Sequence, residues 1–316
     1  MTSHADTFMA LRPRLFGIAY RMLGRVTEAE DVLGDVAERW LAVDTTVVRS
    51  AEAWLVTATT RRALDVAKSA RLSRVDYPGE WLPEPLPTGG DDPLEQRETL
   101  TMGFLVLLER LTPLERAVFV LHDVLDEPYP AVADAVGRSE AACRQTLRRA
   151  RRHVELPTPI DDADRTHAQA VAERFLAVTA GGDIDDLIAL LAPDIVVTSD
   201  GGGVVAAGIR PVVGLERAAR LTLNLAARGL PAPFMHPCEL NGEPGVLVRG
   251  PAGWLALVVS AGADDRVRQL WAVLSPAKLQ PLLDALGDTV AGQPDAARAA
   301  GWLRHRHGRP VHDGSV

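Results

Sequence analysis

Hydrophobic and polar positions follow a helical repeat through the first half of the chain. Between residues 28 and 41, apolar residues recur every three or four positions and predict the buried face of an amphipathic helix: Leu33, Val36, Ala37, Trp40 and Leu41. Another side of the same helix carries an acidic stripe with one arginine beside it: Asp31, Asp35, Glu38 and Arg39. Taken alone, a charged stripe of this kind is most often a solvated helix face.

Further helical segments follow. Residues 51–70 begin apolar and end basic, which predicts a second long helix. A leucine-rich face then extends from Leu105 to Leu121. Within it, Thr112, Pro113 and Glu115 have the spacing of a helix start, with threonine as the cap and proline at the first helical position.

Residues 129–153 have the pattern of a helix-turn-helix. A short apolar helix from Tyr129 to Val136 meets Gly137, and Ser139 is placed to cap a second helix. Cys143 belongs to the inward face of that helix, while arginines cover its outward face. A basic helix can also bind a membrane or calmodulin. Here the inward face is narrow and weakly apolar, which favours packing on a partner helix.

After a proline-broken gap at residues 156–164 the pattern changes. Two helices are predicted at about residues 165–181 and 183–192, and a third at residues 215–229. β-branched runs predict strands at residues 195–200, 244–250, 253–260 and 266–275. Helices followed by antiparallel strands predict a compact α+β domain with a curved sheet around the helices. The composition of residues 285–316 predicts a disordered tail.

Charge is unevenly distributed along the chain. The net charge is −8, but residues 61–74 carry +4 and residues 137–153 carry +5, with −6 over residues 76–99. Two basic islands indicate a polyanionic partner, and the acidic stretch is an internal competitor for it. The chain has two cysteines, no signal-peptide pattern and no apolar run of membrane-spanning length. A soluble, cytoplasmic protein without disulfides is therefore expected.

In this order, the segments resemble bacterial RNA polymerase sigma factors of the extracytoplasmic-function (ECF) class. Residues 28–41 resemble the motif that docks on core RNA polymerase, and residues 53–71 resemble the helix that melts and reads the −10 promoter element. The helix-turn-helix resembles the domain that reads the −35 element. The C-terminal half resembles the SnoaL-like branch of the NTF2-like fold.

Three motifs of one subgroup of these sigma factors occur in the chain. They are WLPEP at residues 81–85, Asp-Gly-Gly-Gly at residues 200–203, and a late Pro-x-Lys-Leu at residues 276–279. The chain departs from the family at four places. Gly34-Asp35 stands where Gln-Glu is usual, Arg61-Arg62 where Arg-Asn is usual, and Val204 where lysine is frequent. The late motif keeps only Pro, Lys and Leu of Asn-Pro-Asp-Lys-Leu.

The resemblance implies a multi-domain protein with two all-α sigma domains and an α+β cone-shaped domain. The expected parts are a sigma-2-like domain at residues 1–75, a proline-rich linker at 76–93, a sigma-4-like domain at 94–156 and a SnoaL-like regulatory domain at 165–284. Core RNA polymerase and promoter DNA are the implied partners. No cofactor, metal or membrane is implied, and the free protein is expected to be monomeric.

The resemblance also assigns roles to residues. The acidic stripe Asp31, Asp35, Glu38 and Arg39 is expected to contact polymerase. The −10 element is expected to contact Trp54, Arg61, Arg62, Asp65, Lys68 and Arg71, with Asp65 orienting a nearby arginine. The −35 element is expected to contact Ser139, Glu140, Arg144, Gln145, Arg148 and Arg149. Regulatory contacts are expected at Trp81, Leu82, Pro83, Glu84, Pro85, Asp200, Gly201, Gly202, Gly203, Pro276, Lys278 and Leu279.

The C-terminal domain leaves a second function open. Its fold family includes isomerases and cyclases that use a carboxylate base, often with a tyrosine. Asp194, Asp200 and His236 are candidate bases, but all three tyrosines of the chain precede this domain. Catalysis is therefore not predicted, and an active isomerase or hydrolase, or a small-ligand sensor, is the alternative. An ordinary helix-turn-helix repressor would leave the polymerase-docking motif unexplained.

The linker carries an apolar anchor between prolines. We hypothesise that Trp81 and Leu82 dock on the C-terminal domain, near residues 200–203 and 275–279, and thereby set the spacing of the sigma domains. The acidic residues around them would then lie near the basic DNA-reading surfaces. The alternative is that Trp81 packs locally against the end of the first domain.

Overall fold

The computed structural model describes residues 3–44, 47–73, 77–88, 100–156, 162–181, 184–229, 234–250, 253–262 and 264–290. The chain divides into two compact units. Unit 1 comprises Met1–Tyr77, Leu82–Asp162 and Glu239–Glu243, and unit 2 comprises Pro78–Trp81, Ala163–Cys238 and Pro244–Val316. Four linker residues thus belong to unit 2, and five residues from the C-terminal half belong to unit 1.

Unit 1 is built from helices. These are α1 (His4–Leu23), α2 (Val26–Leu41), α3 (Ala51–Ser73), α4 (Met102–Leu108), α5 (Pro113–Phe119), α6 (Tyr129–Val136) and α7 (Glu140–Ala150), with a π-helical turn at Val120–Val124. One hydrophobic core runs through all of them and includes Leu55, Phe119 and Leu147. Cys143 is buried in it, as the sequence predicts.

Local sequence signals account for several helix ends in unit 1. Thr112 accepts from the backbone N–H of Glu115 and Pro113 occupies the first turn, so the predicted capping box is confirmed. Gly137 adopts φ +66° after α6, and Ser139 caps α7 through the N–H of Ala142. The helix-turn-helix predicted from the sequence is therefore confirmed.

Unit 2 contains α8 (Asp162–Gly181), α9 (Ile184–Leu190), α10 (Leu215–Gly229) and α11 (Pro276–Leu286). The strands of the chain are β1 (Pro87–Thr88), β2 (Leu191–Asp200), β3 (Val212–Val213), β4 (Phe234–Leu240), β5 (Glu243–Gly250), β6 (Gly253–Ala261) and β7 (Val267–Val273). Of these, β1, the end of β4 and the first residue of β5 belong to unit 1, and the rest belong to unit 2. Their order in the sheet is β1-β4-β5-β6-β7-β2-β3. Residues Phe175, Leu187 and Ala218 of the helices share a core with Val197 and Leu270 of the sheet.

Two expectations about the C-terminal half are corrected. β2 pairs with β7 in parallel, so the sheet is not wholly antiparallel. Between β2 and β7 the chain passes through β3, α10 and the strands β4–β6. The strand β7 then runs beside β2 in the same direction. The predicted tail also starts too early, because α11 extends to Leu286 and a 3₁₀ turn follows at Gly287–Thr289. Residues 291–316 lie outside the described residues.

Candidate functional site

The acidic stripe of α2 is only partly available to a partner. Asp31, Glu38 and Arg39 are exposed. Asp35 is half-buried, and its Oδ2 accepts a hydrogen bond of 2.5 Å from Nε of Arg62 on α3. Asp35 is expected to contact polymerase and Arg62 is expected to contact promoter DNA, so the two expected sites are joined by this pair.

Two further residues lie beside the stripe, and one of them corrects a prediction, because the apolar repeat had placed Leu41 on the buried face. Leu41 is 61% exposed at the end of α2, and Gly34 is exposed between the acids. Both lie at helical spacing from Asp31 and Glu38, so they share that face. Trp40, by contrast, is only 1% exposed and donates from Nε1 to the carbonyl of His4 at 2.9 Å. Trp40 is thus a core residue and not part of the exposed face.

Helix α3 carries the residues expected at the −10 element. Trp54 is half-buried, with its ring 5.3 Å from that of Trp40. Arg61 donates from Nη2 to the carbonyl of Asp134 at 2.7 Å and from Nε to that of Ala135 at 3.3 Å. Both carbonyls belong to the last turn of α6. Arg61 therefore caps the first helix of the helix-turn-helix.

The distal part of α3 differs from the expectation in one respect. Among the described side chains, the ion-pair partner of Asp65 is Lys68, one helical turn away at 3.3 Å, rather than the arginine expected from the sequence. Both side chains are well exposed, so this pair contributes little to stability. The side chain of Arg71 lies outside the described residues.

Helix α7 presents most of its expected −35 residues to solvent. Arg144, Gln145, Arg148 and Arg149 are exposed, and Glu140 pairs with Arg144 at 3.1 Å. The Arg144 guanidinium also lies 5.1 Å from the centroid of the Tyr129 ring. These contacts lie along the surface of the helix and leave its basic face open to a polyanion.

Arg151, next to this face, has a different environment. It donates two hydrogen bonds, of 2.7 and 2.6 Å, to the carboxylate of Asp123. That hydrogen bonding raises the pKa of Arg151. Arg151, whose side chain is 57% exposed, is thus paired within unit 1.

The WLPEP motif is divided between the units. Trp81 belongs to unit 2, whereas Leu82, Pro83, Glu84 and Pro85 are buried residues of unit 1. The expectation that Trp81 and Leu82 act as one docking segment therefore needs correction. The physical reason is Glu84, whose bonds fix the second half of the motif in unit 1.

Glu84 serves as the N-terminal cap of α2. Its side chain is 0% exposed and accepts from Nε of Arg25 at 2.9 Å and from the N–H groups of Val26 and Thr27 at 2.7 and 3.3 Å. Partial burial alone would lower the pKa of Arg25, but its bonds and charge contacts with Glu84 and Glu28 raise it. α2 has no capping side chain at its own N-cap, Arg25. Glu84 thus supplies the anionic cap, and it is not a free acid near the DNA-reading surfaces.

Asn241 joins the linker to α1 within unit 1. Its N–H donates to the carbonyl of Leu86 at 2.8 Å, and its Oδ1 accepts from the N–H of Leu86 at 3.1 Å. Its Nδ2 donates to the hydroxyl of Tyr20 at 2.7 Å, and Tyr20 donates to the carbonyl of Glu84 at 2.6 Å. Burial raises the pKa of Tyr20 strongly. Sequence reasoning missed Asn241, although Asn-Gly between two strands is a hairpin signal.

In unit 2 the three motif segments converge on Lys278. Its Nζ donates to Oδ2 of Asp200 at 2.6 Å and lies 4.0 Å from the centroid of the Trp81 ring. Asp200 also accepts at Oδ1 from the N–H of Gly202 at 2.8 Å. Pro276 starts α11 and is exposed, whereas Leu279 is buried. A cation between a carboxylate and an aromatic face is stabilised by both.

The glycines of the motif permit this close packing. A Cβ on Gly202, at φ +65°, would lie 2.3 Å from Oγ of Ser275. A Cβ on Gly201 would lie 1.9 Å from the carbonyl oxygen of Val205, and one on Gly203 would lie 2.8 Å from Pro78. Residues 201–203 are therefore glycines for steric reasons.

Comparison with known proteins decides the family. Residues 7–72 match Sigma-70 region 2, and residues 101–154 match Sigma-70, region 4. The chain is 38% identical over 287 residues to ECF RNA polymerase sigma factor SigJ of Mycobacterium tuberculosis (strain ATCC 25618 / H37Rv), covering 86% of this chain and 91% of the relative. This chain belongs to the ECF RNA polymerase sigma factor family.

Two further comparisons agree. The crystal structure of M. tuberculosis SigJ matches with a TM-score of 0.72 and 34% identity, covering 87% of this chain and 98% of that chain. A probable ECF sigma factor SigI of M. tuberculosis (strain CDC 1551 / Oshkosh) is 30% identical, covering 88% of this chain and 95% of the relative. The predicted fold class, with all-helical sigma regions and an α+β C-terminal domain, is confirmed.

Two of the three candidate bases of this sigma factor have identified partners in unit 2. Asp200 is fully buried and bound to Lys278. The Asp194 side chain is 76% exposed and lies 3.5 Å from Arg268. Within the described residues no cluster of His, Cys, Asp or Glu has the arrangement of a metal site. Over the same residues, no helix is long and apolar enough to span a membrane.

Proposed function

We propose that this sigma factor directs core RNA polymerase to specific promoters, and that unit 2 modulates this activity in cis. In the proposal, the exposed face of α2 contacts polymerase, α3 engages the −10 element and α7 reads the −35 element. Arg144, Gln145 and Arg148 suit base edges in a major groove, because arginine pairs with guanine and glutamine with adenine. The exposed arginines around them add phosphate contacts.

The observation that carries the regulatory part is the position of Trp81. This residue precedes Leu82 in the linker between regions 2 and 4, yet its ring lies on Lys278 in unit 2. A cation–π contact of this kind contributes roughly 0.5–2 kcal/mol, depending on desolvation. We propose that holding Trp81 restrains the linker and so controls when the two DNA-reading regions can be used together.

We propose that unit 2 regulates and does not catalyse. A general base needs a carboxylate that can accept a proton from a substrate. Asp200 is 0% exposed and already bound by Lys278, itself 6% exposed, and by Gly202. Its environment suits a structural anchor for the motif segments.

Run-off transcription with purified core polymerase on a pool of genomic promoter fragments tests both parts. The full-length protein is compared with the Trp81→Ala variant and with a matched control, Trp254→Ala. Trp254 is also a half-buried tryptophan of unit 2 with a cation over its ring, Arg249 at 5.0 Å.

Initiation at defined promoters by the wild type supports the sigma activity. A change in transcript yield with Trp81→Ala but not with Trp254→Ala supports the regulatory part, and its sign shows whether unit 2 activates or inhibits. If the wild type neither initiates nor binds core polymerase, the sigma activity is wrong. If both tryptophan variants behave as the wild type does, regulation through Trp81 is wrong.

A further inference from the structure

Two places where this chain departs from the usual sigma motifs are in contact with each other. Asp35 of α2 stands where glutamate is usual, and Arg62 of α3 stands where asparagine is usual. Nε of Arg62 donates a hydrogen bond of 2.5 Å to Oδ2 of Asp35. The usual residues would place one charge at this contact, whereas this chain places an ion pair there.

Arg62 and its neighbour Arg61 have partners on different helices. Adjacent residues of a helix are about 100° apart around its axis, so the two side chains leave α3 in different directions. Arg61 donates to two carbonyls in the last turn of α6. Arg62 turns to α2 instead, where its carboxylate partner belongs to the acidic stripe. The pair therefore distinguishes Arg62 from the arginine beside it.

The pair holds one edge of the Arg62 guanidinium and leaves its end available. Within the described part of the chain, the side chain of Arg62 bonds to Asp35 through Nε, and neither Nη1 nor Nη2 has a partner. The Arg62 side chain is 37% exposed. Arg151 is the contrast, because it donates to Asp123 from Nε and Nη2 together. A guanidinium held only at Nε can still donate two parallel hydrogen bonds from its terminal nitrogens.

We infer that Asp35 is a positioning residue for Arg62, and that Arg62 reads a guanine of the −10 element. The inference rests on the proposed contact of α3 with that element. Arginine binds O6 and N7 of guanine through two parallel hydrogen bonds. A carboxylate that orients the guanidinium before binding reduces the side-chain entropy lost on binding. Asp35 also offsets the charge of Arg62, so the pair favours base discrimination over non-specific attraction to phosphates.

Run-off transcription with full-length protein and core polymerase tests the inference. The templates derive from one promoter that the wild type uses, with each −10 position changed in turn to all four base pairs. The variants are Asp35→Asn, Arg62→Lys and their combination, and the matched control is Asp31→Asn. Asp31 is exposed one helical turn before Asp35 on the same stripe, so the control removes an equal charge. The readout is the ratio of yields between base pairs, in which any change in affinity for core polymerase cancels.

The wild type should prefer guanine at one −10 position. Arg62→Lys should lower that preference roughly tenfold, because lysine cannot form the paired hydrogen bonds. Asp35→Asn should lower it roughly threefold, because Arg62 must then be immobilised on binding. The double variant should match Arg62→Lys, since without the guanidinium Asp35 has nothing to orient. Asp31→Asn should retain the preference of the wild type.

A merely structural role of the pair would lower the yield on all base pairs alike and leave the ratio unchanged, which would overturn the inference. Equal loss of preference in Asp35→Asn and Asp31→Asn would overturn it as well. A stronger preference in Asp35→Asn would show that Asp35 masks Arg62, against the positioning role. These results leave the proposed function standing if the wild type initiates transcription. Failure of the wild type to initiate with core polymerase is the separate result that rejects the proposed function.

Discussion

Lys278 and Asp200 form a buried ion pair in which Nζ donates to Oδ2 at 2.6 Å. Removing one partner of such a pair leaves a buried charge uncompensated. We therefore expect Lys278→Met to lower the free energy of unfolding by about 3–5 kcal/mol, and the double variant with Asp200→Asn to recover part of the loss. Urea denaturation measures both.

Lys68→Met is the control for that loss. Its pair with Asp65 has side chains that are 59% and 67% exposed, so the expected loss is below about 1 kcal/mol. A loss for Lys278→Met no larger than that for Lys68→Met would show that the buried pair does not stabilise the fold.

The Tyr20 hydroxyl joins Glu84 and Asn241, so Tyr20→Phe should leave a buried carbonyl and a buried amide each short of one partner. The expected cost is about 1–3 kcal/mol in chemical denaturation. Hydrogen exchange of the Leu86 amide should accelerate in Asn241→Ala, because Asn241 Oδ1 is its acceptor. Tyr129→Phe retains the ring contacts with His122 and Arg144 and should change stability little.

Gly34 occupies an exposed interior position of α2, and a Cβ there would meet nothing within 4 Å. Gly34→Ala should stabilise unit 1 by about 0.5–1 kcal/mol, because alanine loses less backbone entropy in a helix. Gly202→Ala should have the opposite effect and destabilise the fold, because its Cβ would lie 2.3 Å from Oγ of Ser275. If Gly34→Ala and Gly202→Ala shifted the thermal unfolding temperature in the same direction, this account would be contradicted. The affinity of the Gly34→Ala variant for core polymerase shows in addition whether the exposed face of α2 binds polymerase.

Arg148 and Arg151 should respond differently to alanine. Arg148 is exposed on the basic face of α7, so Arg148→Ala should weaken promoter binding by about 1–3 kcal/mol and relax specificity at one base pair. Arg151→Ala removes the partner of Asp123, whose side chain is 6% exposed, and should instead reduce the stability of unit 1. Promoter titration and urea denaturation of both variants separate the two effects, and identical profiles would refute the distinction.

The pH dependence of stability should include a contribution from Glu115. Burial alone would raise the pKa of this carboxyl, but the hydrogen bonds from Thr112 and the charges of Arg149 and His153 outweigh it and lower the pKa. A lowered folded-state pKa gives stability that is present above the unfolded pKa and lost as pH falls through the folded value. Glu115→Gln should therefore flatten the acid limb of a stability–pH profile. An unchanged acid limb would show that Glu115 is not linked to folding.

Local patterns were sufficient to predict the helical part of this protein. The apolar repeat of α2, the capping box at Thr112 and the Gly137–Ser139 turn each depend on residues within a few positions of one another, and each is confirmed. The succession of helices and then strands was also enough to predict the α+β C-terminal domain. The family motifs added the expected roles of α2, α3 and α7.

Other features depend on residues that are distant in the chain. The parallel pairing of β2 with β7, the capping of α2 by Glu84 and the bonds of Arg61 to α6 have no counterpart in local periodicity. The sequence by itself determined most of the helices and the strands β2, β5, β6 and β7, because short-range sterics and hydrogen bonding set these. It did not predict β4 or α11. The tertiary structure alone decided that WLPEP divides after Trp81 and that Asn241 holds Leu86, because buried polar groups take whichever partner long-range packing brings within reach.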